Sequence, residues 1–212
     1  MSNVDMSVVA VVVLSLAACM SLAEAVIRMP VDAASTPFTS REANIIHVAM
    51  NGGMALMFTE LYDHNAALLL TCVYALLSLA LMMRIGWLWN RAPRTRRAEV
   101  VGGSVYHLVG LVAMIYAIRL MPMPAGAMSM VGMTMPAHDM PLVATALGAI
   151  FLLDGVVTFL LVAFAPHTIF RMGPRRPTIF QAHEPTQQQV RYLRMLAIPH
   201  VIMDVGMAIM LI

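Results

Sequence analysis

The chain has 212 residues, of which 60% are hydrophobic and 11% charged. Soluble globular chains carry roughly 25% charged residues, so this composition excludes an ordinary water-soluble domain and points to lipid as the main solvent. All 13 basic residues are arginine, and a formal charge of +2 is too small for a nucleic-acid surface.

Six apolar stretches follow one another: Val4 to Ile27, Ala43 to Thr59, Ala66 to Trp89, Val100 to Leu120, Leu142 to Ala165 and Tyr192 to Ile212. Each approaches the ~20 residues that an α-helix needs to cross a bilayer. The expected fold is therefore all-α: a polytopic membrane bundle of about six transmembrane helices, forming one domain over residues 1–212. The first stretch contains Leu16-Ala17-Ala18-Cys19 and Ala23-Glu24-Ala25, which resemble cleavage boxes. No basic residue precedes the run, as a signal sequence requires, so this helix is expected to stay. The second stretch is short and carries Asn51, Gly52 and Gly53 in its middle, but it is periodic and the topology needs it.

Arginine placement sets the expected orientation. Arg28 and Arg41 bracket the first connection. Arg91, Arg94, Arg96 and Arg97 crowd the third, and Arg171, Arg175, Arg176, Arg191 and Arg194 crowd the fifth. These belong inside, which makes 166–191 a cytoplasmic loop. The turn near Asp63 and the loop 122–141 lack arginine and belong outside. The expectation is a multi-pass protein of a bacterial cytoplasmic membrane with both termini outside. Arg119 is the one arginine out of place.

A near-duplicate is the most informative feature. His47-Val-Ala-Met50-Asn51-Gly-Gly-Met54-Ala-Leu-Met57 matches His200-Val-Ile-Met203-Asp204-Val-Gly-Met207-Ala-Ile-Met210 at seven of eleven positions. A weaker copy opens at His107, with Gly110, Met114 and Ala117 at the same offsets. Each copy sits on an even-numbered helix, which suggests three repeated helical hairpins in one chain. At about 100° per residue, offsets of zero and seven point almost the same way, and offsets of three and ten lie about 60–80° aside. Histidine and methionine thus form one stripe on each helix. If the stripes face each other, three imidazoles meet at one depth with thioethers rising from them.

That ligand set points to copper. Thioethers are soft neutral donors suited to Cu(I), and imidazole also suits copper. Such a site needs no buried carboxylate, which matters where charge is costly to bury. The expected ligands are His47, Met50, Met54, Met57, His107, Met114, His200, Met203, Met207 and Met210. The loop 122–141 adds Met128, Met130, Met133, Met135 and His138, in a segment too rich in Pro and Gly for a membrane helix. Asn51, Asp204 and Asp154 are expected to support the ligands, with Asp204 accepting a hydrogen bond from a ligating imidazole and Asp154 doing the same or carrying protons. Methionines also fill apolar gaps, and Gly52, Gly53 and Gly206 also permit close helix approach. Both of those readings stay open here. Cys19 and Cys72 lie far apart in apolar runs and are expected to be buried and inert.

The His-x-x-Met-x-x-x-Met stripes at His47 and His200, in a small membrane protein whose only basic residues are arginine, resemble an uncharacterised family of actinobacterial membrane proteins, the domain of unknown function DUF5134. The resemblance implies a helical membrane protein and supplies no activity. In ligand chemistry, though not in topology, Met50-x-x-x-Met54, Met203-x-x-x-Met207 and the methionine loop are similar to the high-affinity copper transporter family. Expected partners are membrane lipid, the copper ion, and a copper enzyme, a chaperone or a further copy of the chain. Two alternatives remain: a b-type haem electron carrier with histidine ligands, and a structural accessory subunit of a larger membrane complex.

Overall fold

The computed structural model describes residues 3–26, 41–93, 97–120, 142–164 and 187–211. Every element among them is a helix: α1 (Asn3–Val26), α2 (Arg41–Met57), α3 (His64–Arg91), α4 (Arg97–Leu120), α5 (Leu142–Phe164) and α6 (Gln187–Leu211). Each falls on an expected apolar stretch. The methionine loop 122–141, with Met128, Met130, Met133, Met135 and His138, lies outside the described residues, as does most of the loop 166–191.

Four helices are long and apolar enough to cross a membrane: Ser7–Val26, His64–Arg91, Val101–Leu120 and Leu142–Phe164. The molecule is a helical membrane bundle. Helix α2 has 17 residues, and the apolar part of α6 is only Ala197–Leu211. Their position explains the difference. Consecutive helices pack as hairpins, α1 with α2, α3 with α4 and α5 with α6, while α2, α4 and α6 also touch one another. Inner helices surrounded by neighbours need not be apolar all round, because little of their surface meets lipid.

Burial shows the two roles. The outer helix α5 buries only Ala144, Gly148, Phe151, Gly155, Thr158 and Val162, one narrow stripe at alternating spacings of four and three. Leu152, Leu153 and Phe159 beside it are exposed. Helix α1 likewise buries Leu14, Ala17 and Ser21, and α3 buries Ala67, Tyr74, Ser78 and Leu81. Cys19 and Cys72 are free thiols on exposed faces of α1 and α3, not buried as expected. Outer helices turn most of their surface to lipid, where an apolar thiol costs little.

Contacts repeat around the centre. Tyr74 of α3 donates its hydroxyl to the Ala49 carbonyl of α2 at 3.1 Å, and Gly53 makes room for that phenol. Leu14 of α1 lies against Gly206 of α6, the matching glycine of the repeat. Phe151 of α5 meets Tyr106 of α4 with ring centroids 6.2 Å apart. Each outer helix therefore packs on its own hairpin partner and on the preceding inner helix. Without a hydrophobic force between helices in lipid, such close packing is what holds them together.

The ends are tied by polar contacts. Asp63 caps α3, accepting from the Ala66 amide at 2.8 Å. Arg194 of α6 donates to the Val162 and Ala163 carbonyls at 3.3 and 3.1 Å, closing the last turn of α5. Arg84 of α3 pairs with Glu42 of α2.

A Cβ at Gly53 would collide with the Tyr74 hydroxyl, whereas Gly52 has open space. Gly53→Ala is expected to destabilise the bundle by about 1–3 kcal/mol, while Gly52→Ala is neutral or slightly stabilising through helix propensity. Denaturant titration of both variants in detergent micelles checks the contrast.

Candidate metal centre

The three histidines of the repeat come together. His47 and His107 have ring centroids 5.1 Å apart at 76°, and His47 and His200 are 5.3 Å apart. All three are buried. Each comes from a different inner helix, so the cluster exists only when α2, α4 and α6 pack together. His200 Nδ1 lies 3.4 Å from His47 Nε2. His107 Nδ1 is buried and has no hydrogen-bond partner. A buried imidazole nitrogen in that state is an available donor for a soft or borderline cation.

The thioethers lie on the same stripes. Met50, Met54, Met114, Met203 and Met207 are completely buried. Met57 is buried and Met210 partly so, packed against the same core. The weaker copy in α4 has a steric reason for its glycine: a Cβ at Gly110 would lie 2.9 Å from Met50 Cε and 3.5 Å from its sulfur. Met50 crosses from α2 into the space that a third methionine would need. Gly206 does the same for Met54, whose sulfur would stand 3.0 Å from an added Cβ. The glycines and methionines are thus complementary, and the gap-filling role of methionine is satisfied at these positions along with any role in ligation.

The supporting residues divide. Asn51 donates from Nδ2 to the Pro199 carbonyl of α6 at 3.4 Å and leaves Oδ1 buried without a partner. It links α2 to α6 next to His200 and makes no described hydrogen bond to an imidazole. Asp154 and Asp204 both turn to His200. Its Nε2 lies 3.3 Å from Asp154 Oδ2 and 3.4 Å from Asp204 Oδ2. The carboxylates expected to support a ligating imidazole do stand beside one.

Tyr106 is a residue that the sequence reading missed. Its hydroxyl donates to Asp204 Oδ1 at 2.5 Å, and its ring packs edge-on against His107 and tilted against His200, with centroids 5.7 and 5.4 Å apart. The available signal was its place immediately before His107, where the other copies carry Ile46 and Pro199. The residue four after the histidine reaches the residue just before the histidine of a neighbouring helix in two cases: Asn51 to Pro199, and Asp204 to Tyr106. At the third pair of such positions stand Leu111 and Ile46, both apolar and buried.

A buried centre of three imidazoles, with buried methionines further along the same helices and two carboxylates beside His200, defines a helical membrane protein with a preformed polar core. The chain belongs to the family described as Domain of unknown function (DUF5134), whose model matches residues 39–212 and so takes in α2 to α6. No curated protein and no solved structure matches it. The likeness to copper transporters therefore rests on ligand types alone.

Tyr106→Phe leaves a buried Asp204 oxygen without its donor. A loss of about 1–3 kcal/mol is expected, read as lowered stability in detergent relative to wild type. An unchanged midpoint would show that Tyr106 does not hold Asp204.

Proposed function

We propose that this protein binds copper as Cu(I) inside the membrane, for storage, delivery or permeation. The observation that carries the reading is the convergence of His47, His107 and His200 beneath completely buried Met50, Met54, Met114, Met203 and Met207. Neutral imidazole and thioether donors suit a soft monovalent ion and add no charge to the bilayer interior. In this reading the methionine loop 122–141 with His138 captures the ion outside. Met57 and Met210 lie on the way in, and the imidazoles form the deepest station. Orientation follows the arginines: six spans, both termini outside, in a bacterial cytoplasmic membrane. A copper enzyme, a chaperone or a second copy of the chain would exchange the ion.

Direct contact between the imidazole rings favours a bare ion over haem b, because a porphyrin held between two histidines must separate them. An accessory role in a larger complex would use the exposed outer faces and would leave the buried stripes without a task beyond packing.

Metal-stripped protein in detergent, titrated with Cu(I) against a chromophoric chelator, is expected to bind copper, with sulfur and nitrogen neighbours in X-ray absorption. Met203→Leu/Met207→Leu conserves volume and is expected to weaken Cu(I) at least about ten-fold while keeping the fold. His47→Ala/His200→Ala is expected to abolish binding, and wild-type stoichiometry in that variant would refute the reading. Reporter fusions check the topology: a C-terminal periplasmic reporter is expected to be active and a cytoplasmic one silent.

A further inference from the structure

The repeated positions carry different side chains at one interface. Just before the repeat histidine stand Ile46, Tyr106 and Pro199, and four residues after it stand Asn51, Leu111 and Asp204. Asp154 of α5 lies beside His200 Nε2. The phenol and both carboxylates thus fall together only where α4, α5 and α6 meet, around His200.

We propose that this interface is a second metal site, for one divalent transition cation, with Asp154 Oδ2, Asp204 Oδ2 and His200 Nε2 as ligands. These three atoms lie within 4.8 Å of one another. The two distances from His200 Nε2, 3.3 and 3.4 Å, are long for charge-assisted hydrogen bonds, which run about 2.7–2.9 Å. They match the ligand-to-ligand edge of a tetrahedral site, roughly 3.3–3.4 Å for bonds of about 2.0–2.1 Å. Asp204 Oδ2 is buried and forms no hydrogen bond. The other oxygen of that carboxylate accepts from Tyr106, which fixes the group with Oδ2 directed at the site, as outer partners orient ligating carboxylates.

Charge supports the same assignment. Two carboxylates on membrane-spanning helices, one of them fully buried, are costly unless compensated. Among the described residues their ion pairs are to His200 alone, and a single imidazolium would balance only one of them. A divalent cation balances both. The ligand set separates this ion from the one proposed for the thioethers, since carboxylate oxygens favour borderline and hard divalent ions over Cu(I). His200 stands between the two chambers, with Nδ1 toward His47 and Nε2 toward the carboxylates.

The test is Co(II) titration of metal-stripped, detergent-purified full-length protein, followed by visible d–d absorption, with Cu(I) binding measured on the same samples. Wild type is expected to bind one Co(II), displaced by Zn(II). Asp154→Asn is expected to weaken Co(II) at least about ten-fold, with a wild-type thermal midpoint showing that the variant is folded. Asp154→Glu is expected to retain Co(II) with shifted bands. Wild type that takes up no Co(II), or Asp154→Asn that binds it as wild type does, overturns the proposal. Co(II) binding without Cu(I) binding would overturn the copper reading and leave this one standing.

Discussion

Three imidazoles and the Asp204 carboxylate can sit inside a membrane bundle because α1, α3 and α5 shield them from lipid. An ionisable group facing hydrocarbon costs several kcal/mol by most measures, so His47, His107 and His200 require neighbours on every side. The outer helices provide those neighbours through narrow buried stripes and take the lipid on their remaining faces. This division lets α2 be shorter, and the apolar part of α6 shorter, than a lone spanning helix requires.

The same shielding depends on close approach. Gly53 admits Tyr74, Gly110 admits Met50, and Gly206 admits Met54 and Leu14. Each pairs a missing side chain with a long one from the next helix. Methionine serves well here because its unbranched chain adapts to irregular space, and the sulfur it carries into the core is also a metal donor. Packing and ligation are compatible uses of one side chain, so the abundance of methionine alone does not separate them. The converging imidazoles carry that distinction.

Near-repetition with local exceptions gives the centre its character. Where the copies agree, the bundle gains three equivalent histidines and methionine stripes. Where they differ, at Tyr106, Asp154 and Asp204, a single interface acquires two carboxylates beside its repeat histidine. An internally repeated chain, unlike a symmetric trimer, can specialise one of its interfaces in this way.

The helices, their order and the facing stripes were legible from residue pattern, because hydrophobic length and a 3.6-residue period are properties of each helix alone. The pairing of His47 with His200 could be expected from the duplicated motif, and Gly53 and Gly206 as points of close approach from their size. Tyr106 was not legible as part of the centre, nor was the joint grip of Asp154 and Asp204 on one nitrogen of His200. The exposure of Cys19 and Cys72 was misread for the same reason: a local apolar run does not say which face meets lipid. Sequence by itself determined which side chains share a face of each helix. Only the tertiary structure decided which faces meet and at what register, since those contacts join residues 46 to 153 positions apart in the chain and depend on how whole helices pack.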